Sequence, residues 1–180
     1  MQRFTLRAVG ALTLVSGALA LAVSAQAAGK PPSPMTAIHA FIDNFNKGDV
    51  AAAEAAHVAQ PTIIDEVAPH HWEGAGAVRA WAGDLDKAAK AAGDTNQKVT
   101  LGKASRTIIE GDVAYVVVPA TYTYKEKGKA MVETASMTYA LHLEGDAWKI
   151  TGWSWNGTAP HLAAPKASPA AAAPATPPKT

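Results

Sequence analysis

The residues best placed for chemistry are one aspartate and two histidines in the segment 65–71. Asp65 lies in a β-branched run, residues 62–67, that predicts a short strand. Because side chains alternate along a strand, Asp65 is expected to share a face with Ile63 and Val67. A carboxyl group among apolar side chains has a raised pKa, which suits a group that takes up and releases a proton. The alternatives are a hydrogen-bonded structural acid and a side chain that points to solvent.

His70 and His71 follow this strand and come directly before Trp72. Histidine exchanges protons near neutral pH, so either ring could pair with Asp65 if the loop folds over a pocket. The alternative is an exposed loop dipeptide. The chain has no cysteine and no His-x-His or His-x-x-x-His spacing, whereas a zinc site needs three or four convergent ligands. We therefore predict neither a metal nor another cofactor.

Helix 1 is the clearest of the elements that must position these residues. It is predicted to begin at Ser33-Pro34, because serine caps a helix and proline suits its first position. It is predicted to end at Gly48, which suits a left-handed cap. Its apolar stripe recurs at steps of three and four residues and consists of Met35, Ile38, Phe41, Ile42 and Phe45.

Two more helices are predicted on either side of the Asp65 strand. Helix 2 is expected to start after an Asp49 cap, to span about residues 50–59 and to end before Pro61. Helix 3 is expected over about 75–92, with Gly93 closing it. Its expected buried face consists of Val78, Trp81, Leu85 and Ala88.

Four long strands follow the helices, at 99–109, 113–125, 130–143 and 148–155. The turns between them, at 110–112, 127–129 and 144–146, leave no room for crossovers and predict an antiparallel meander. Such a sheet usually has one covered face, which the helices must supply. The predicted fold class is therefore α+β: three N-terminal helices packed on a curved antiparallel sheet, together enclosing a cone-shaped barrel.

The two ends of the chain differ in composition from this domain. Residues 1–27 read as a cleaved signal peptide, with arginines before a short apolar run and Ala25-Gln26-Ala27 as the cleavage site. Residues 28–34 are then a linker, 35–158 the domain, and 159–180 a disordered tail rich in alanine and proline. We expect a periplasmic or secreted protein without a membrane span after cleavage.

Charge argues against nucleic acid as a partner. The chain has 16 basic and 15 acidic residues, and the signal peptide removes two arginines, which leaves a formal charge of −1 (14 against 15). No dense basic patch remains to neutralise phosphates.

Three local motifs occur in order along the domain: FIDNFNKGD at 41–49, the segment 65–81 around Gly74, and GDAWKI at 145–150. Together they resemble the SnoaL-like and ketosteroid-isomerase-like branch of the nuclear-transport-factor-2-like superfamily. The resemblance covers roughly residues 35–157 and implies a cone with one small-molecule pocket. It is specific for a fold and does not specify an activity.

The resemblance also implies roles for single residues. Asp65 lies nine residues before Gly74, where ketosteroid isomerases keep their base. Their helix 1 tyrosine corresponds to Phe41, and their protonated aspartate falls near Thr138 or Tyr139, so the groups that would stabilise an enolate are missing. True ketosteroid isomerisation is therefore not expected.

On the last strand, the resemblance implies that Ile150 and Ser154 face the cavity and that Trp153 and Trp155 lie on the outer sheet face. Two tryptophans on an outer face would form an apolar patch, which indicates a homodimer through that face. The predicted ligand-binding residues are Phe41, Trp72, Trp81, Tyr139, Ile150 and Ser154.

Three functions remain open from the sequence. The first is an exported domain that binds a small apolar or aromatic molecule in a pocket containing Asp65. The second is a cofactor-free proton-transfer enzyme, an isomerase, cyclase or dehydratase, with Asp65 as base and His70 or His71 assisting. The third is an interaction module whose cavity is filled by its own side chains. An open cavity lined by Asp65 would favour the first two.

Overall fold

The computed structural model describes residues 32–164. The predicted signal peptide, most of the predicted linker and the tail from residue 165 lie outside the described residues. Within 32–164, no helix is both long enough and apolar enough to span a membrane.

Three helices lie in the first half of the described chain: α1 (Met35–Lys47), α2 (Val50–Ala55) and α3 (Ala77–Ala92). Gly48 ends α1 in a left-handed conformation, and the Asp49 carboxylate caps α2 by accepting from Ala52 N at 2.9 Å, both as predicted. Gly93 closes α3 in the same left-handed way. On α3, Ala89 is buried in place of the predicted Ala88, which is exposed.

The strands of the described chain form one open, mixed sheet. They are β1 (His57–Ile64), β2 (His71–Glu73), β3 (Asp94–Leu101), β4 (Arg106–Glu110), β5 (Val113–Glu126), β6 (Lys129–Glu144), β7 (Ala147–Gly157) and β8 (His161–Leu162). The spatial order is β2-β1-β7-β6-β5-β3, with β4 also paired to β5 and β8 to β6. The long strands form the predicted antiparallel meander, and β1 adds to it in parallel with β7. The architecture is the predicted α+β fold.

Helix 2 is shorter than predicted, because strand pairing displaces its second half. The chain leaves the helix at Ala56 and enters β1, where His57 pairs with Ile150 of β7. Pro61 lies inside β1, at a point where the register with β7 shifts between His57 and Thr62. A proline is tolerated there because the ladder does not need its missing N–H.

The predicted strand 99–109 is two strands, β3 and β4. The interruption lies opposite Pro119 of β5: Leu101 pairs with Ala120, and pairing resumes only at Arg106 with Val117. Pro119 has no N–H to donate to a ladder, although its carbonyl accepts from Gly102 N at 2.7 Å.

The predicted tail starts too early. His161 and Leu162 form β8 against Val132 and Met131, so the ordered domain continues past residue 159.

The core lies between the helices and the face of the sheet that they cover. Its most deeply buried members come from α1, β1, α3 and the long strands. They include Ile38, Phe41, Ile63, Val78, Val116, Val118, Met137, Tyr139, Leu141 and Ile150. Between α1, α3 and the sheet, part of this layer is not filled by side chains.

Candidate functional site

A cavity of about 50 Å³ opens between α1, α3, the chain that follows β1 and the sheet. Its wall is aromatic and aliphatic apart from two carboxyl groups. The lining residues are Phe41, Ile42, Phe45, Asp65, Glu66, Val67, Trp81, Leu85, Val99, Tyr122, Met137, Trp153 and Trp155. One water needs roughly 10–15 Å³ on this scale, so the space admits only a small molecule.

Asp65 lies in this wall, one residue beyond the end of β1. Its Oδ1 accepts from the backbone N of Val67 at 3.0 Å, and its Oδ2 accepts from Trp81 Nε1 at 3.2 Å. Burial raises the pKa of Asp65, and these two hydrogen bonds oppose part of that rise. The side chain is therefore a fixed, partly desolvated carboxyl group at the edge of an apolar space.

The two histidines do not join Asp65 in the cavity. His70 and His71 are both exposed, and neither lines the wall. The His70 carbonyl accepts from Asp65 N at 3.2 Å, and the His70 ring lowers the pKa of Asp65 through its charge without forming a hydrogen bond to it. His71 belongs to β2 and lies 3.7 Å from the Glu73 carboxylate. The predicted Asp65–histidine pair is thus not formed.

Of the predicted ligand-binding residues, Phe41 and Trp81 line the cavity and the other four do not. Trp72 is buried behind α3 and donates to Asp84 Oδ2 at 3.0 Å. Tyr139 is fully buried and donates its hydroxyl to Met137 Sδ at 3.1 Å. Ile150 is a core residue.

Ser154 lies on the opposite sheet face because of a β-bulge in β7. Ala140 pairs with Gly152 and Leu141 with Ile150, which leaves Thr151 as an extra residue. A single extra residue reverses the facing of every later side chain. Ser154 consequently pairs with Thr138 and Ile64 on the face away from the helices.

The same bulge turns Trp153 and Trp155 inward, so the prediction that they form an outer dimer face is wrong. Trp153 is 4 % exposed, and both residues line the cavity. The Trp153 ring packs edge-on against Trp81, with centroids 4.9 Å apart, and lies 5.3 Å from the Phe41 ring.

His57, which the sequence analysis left unassigned, lies against Trp153 in the core. It is buried, its Nδ1 lies 3.0 Å from Ala53 O, and its Nε2 accepts from Trp153 Nε1 at 3.2 Å. This pattern fits a neutral ring protonated on Nδ1. Burial lowers the pKa of His57 to about 4, so the ring stays neutral and holds Trp153 in place.

Glu133 of β6 was also missed. It is 1 % exposed, and its Oε1 accepts from Trp155 Nε1 at 2.6 Å. The Glu66 carboxyl group lies within hydrogen-bonding reach of it. Burial, together with Glu66, raises the pKa of Glu133 to about 7. Strand alternation carried back from Tyr139 through Met137 would have placed Glu133 on the covered face.

Within residues 32–164, no three histidine, aspartate or glutamate side chains converge on a point that could hold a metal ion.

Residues 35–154 match the model of the SnoaL-like domain family. No curated protein sequence matches the chain.

Solved structures with the same fold are distant in sequence. A type 2 hexachlorocyclohexane dehydrochlorinase aligns with a TM-score of 0.61 at 10% identity, over 76% of this chain and 95% of that one. A ketosteroid isomerase-like protein of Erwinia carotovora atroseptica gives 0.51 at 14%, over 69% and 93%. A nuclear transport factor 2-like protein of Salmonella enterica serovar Typhimurium gives 0.56 at 14%, over 75% and 91%. At these identities the likeness extends to the fold alone.

Proposed function

Because this chain belongs to the SnoaL-like domain family, within the nuclear-transport-factor-2-like superfamily, we propose that its cavity binds a small molecule through Asp65. The family comprises ligand-binding and enzymatic proteins, and the cavity lies between the helices and the sheet. The single observation that carries the proposal is the Asp65 carboxyl group, fixed by Trp81 and Val67 in an otherwise apolar wall.

The environment of Asp65 supports binding over a purely structural role. The Asp65 carboxyl group accepts from Val67 N and Trp81 Nε1, and the Glu66 backbone also contributes a hydrogen bond to it. A carboxylate has about four acceptor sites, so capacity remains for a donor from the cavity. Desolvation without an ion partner is costly, and a bound polar group would offset that cost.

A second candidate is proton transfer, with Asp65 as base. The raised pKa of Asp65 favours it, since a base is most effective when its pKa lies near the working pH. The dehydrochlorinase of the same fold is an enzyme, but that likeness does not extend to its residues. Phe41 offers no hydrogen-bond donor, and the Tyr139 hydroxyl is committed to Met137, so binding is placed first.

Export is part of the same proposal. The mature protein would act in the periplasm or outside the cell after removal of residues 1–27. Amino-terminal sequencing of the protein from its own host tests this directly, and an intact Met1 would contradict it.

Native mass spectrometry of the protein purified from its own host tests the binding function. We expect a bound small molecule in the wild type and its loss in Asp65→Asn, while Asp146→Asn, in the exposed turn after β6, retains it. Equal retention in all three proteins would contradict a role for Asp65. Deuterium appearing at a carbon of the released ligand after incubation in D₂O would favour the second candidate.

A further inference from the structure

In the described chain, the cavity wall contains acidic side chains but no positively charged side chain. Asp65 and Glu66 line it, and the buried Glu133 carboxyl group stands behind Glu66 and Trp155. Among the described residues that line the cavity, none is lysine, arginine or histidine. When these carboxyl groups are ionised, a neutral apolar ligand would leave their charge without compensation and an anion would be repelled by it, whereas a cation would stabilise it.

The hydrogen-bond donors of the wall are already committed to protein acceptors. The three indole N–H groups donate to Asp65, His57 and Glu133, and the Tyr122 hydroxyl donates to Gln97 at 2.8 Å. The groups left for a ligand are therefore carboxylate oxygens and aromatic faces. A wall of acceptors selects a ligand that donates or carries positive charge.

The aromatic rings are arranged at steep angles around the space. The planes of Trp81 and Trp153 meet at 85°, and those of Tyr122 and Trp155 at 82°. A cation within about 6 Å of a tryptophan or tyrosine face is attracted by the negative potential of the ring, and more strongly where water is excluded. Aromatic faces and carboxylates together are the chemistry by which proteins recognise organic ammonium groups.

We propose that the ligand of this cavity is a small organic cation, a primary amine or an alkylammonium ion. This rests on the proposed binding function and names its ligand class. The volume of about 50 Å³ has room for about three to five non-hydrogen atoms, since one water takes roughly 10–15 Å³ on the same scale. Burial and Glu66 raise the pKa of Glu133 to about 7, so a bound cation, which favours the ionised carboxyl group, releases protons from the site below that pH.

A matched pair of probes separates charge from shape. Tetramethylammonium and tert-butyl alcohol have the same number of non-hydrogen atoms and similar shape, and they differ in charge. Three of the five tryptophans line the cavity, so quenching of tryptophan emission reports binding. At pH 8 we expect tetramethylammonium to bind at least tenfold more tightly than the alcohol. Calorimetry at pH 6 in buffers of different ionisation enthalpy should show proton release.

Two variants locate the effect. Glu66→Gln and Glu133→Gln should each weaken tetramethylammonium binding about fivefold or more at pH 8 and leave tert-butyl alcohol binding unchanged. Glu144→Gln, at the exposed last residue of β6, should change neither. Glutamine at 133 can still accept from Trp155 and can donate to Glu66, so the fold is expected to persist.

The outcomes separate this inference from the function on which it rests. Equal binding of both probes would overturn the cationic class and leave small-molecule binding standing. A neutral or anionic ligand released from the host-purified protein would do the same. If neither probe quenches the emission, the cationic class is overturned. If, in addition, the host-purified protein carries no ligand, the proposed function fails as well.

Discussion

Two tryptophans of β7, only two residues apart, are fixed by groups of opposite acid–base character. Trp153 donates to the neutral His57 ring in the closed interior, and Trp155 donates to Glu133 toward the open end of the cavity. Burial acts on both acceptors, yet it lowers the pKa of His57 to about 4 and raises that of Glu133 to about 7. Desolvation disfavours whichever form is charged, so both partners are held towards neutrality.

The difference predicts opposite responses to pH. Between pH 6.5 and 4, His57 is protonated in the unfolded chain but stays neutral in the folded protein. The free energy of unfolding therefore falls as the pH falls. Between pH 4.5 and 7, folded Glu133 keeps a proton that the unfolded chain releases, so stability falls as pH rises. These two contributions to the pH dependence of stability partly cancel in the wild type. Replacing one acceptor should therefore reveal the contribution of the other.

The largest expected effect on stability comes from replacing the two tryptophans of β7 with alanine. Trp153→Ala should lower the free energy of unfolding by about 3–5 kcal/mol, because a fully packed ring leaves a large cavity. Trp155→Ala should cost clearly less, since Trp155 is only partly buried. Urea unfolding at pH 7 measures both. Equal losses would show that the two rings are packed alike.

His57→Gln tests the interior partner through its pH slope. In the wild type, His57 contributes a loss of about 3 kcal/mol as pH falls from 6.5 to 4, given its lowered pKa. The variant should lose that slope whatever its stability at pH 7. His161→Gln, on the exposed β8, is the matched control and should keep the wild-type curve. If the stability of His57→Gln varied with pH in the same way as that of the wild type, a buried neutral His57 ring would be contradicted.

Glu133→Gln tests the partner toward the open end. At pH 8 the variant should be more stable than the wild type by about 1–2 kcal/mol. This figure allows for solvent screening of the repulsion between Glu133 and Glu66, because Glu66 is exposed. At pH 4.5 the difference should vanish, because the wild-type acid is then protonated. Chemical unfolding across this range measures the effect, with Glu144→Gln as control. A constant difference at every pH would contradict the raised pKa.

A further effect is expected at Gly157, the residue that makes room for the Glu133 carboxyl group. A Cβ there would overlap Glu133 Oε1 and crowd Trp155 Nε1. Gly157→Ala should therefore cost about 1–3 kcal/mol, as at other overpacked sites. It should also shift the tryptophan emission as the ring moves. Gly145→Ala, at an open turn, should leave the emission unchanged.

The sequence was sufficient to predict most of the fold. The α1 stripe, the Gly48 and Gly93 caps and the turns between the long strands all report local preferences, and each is present in the structure. Helix 2 and the 99–109 strand were misjudged where pairing partners decide the outcome: His57 pairs with Ile150, and Pro119 lies opposite the gap.

The site was less predictable, for a specific physical reason. Asp65, Phe41 and Trp81 line the cavity, and their predicted roles in binding or catalysis stay predictions. Ser154 and the two tryptophans were placed on the wrong faces because a single extra residue, Thr151, reverses alternation, and no local residue pattern marks it.

The predicted homodimer stays a prediction, although the two tryptophans predicted to form its interface lie in the cavity wall. The sheet face away from the helices exposes 53 % of Ile64, 48 % of Val113 and 42 % of Tyr115. Sedimentation at micromolar concentration tests it, with Tyr115→Lys expected to favour the monomer. A monomeric wild type would remove the dimer without affecting the cavity.

The most direct test of small-molecule binding at Asp65 is a crystal structure, at high resolution, of the protein purified from its own host. We predict density for a compact molecule in the cavity, with one of its atoms about 3 Å from an Asp65 oxygen. A cavity closed by its own side chains, or one that contains only water bonded to Asp65, would contradict the proposed function.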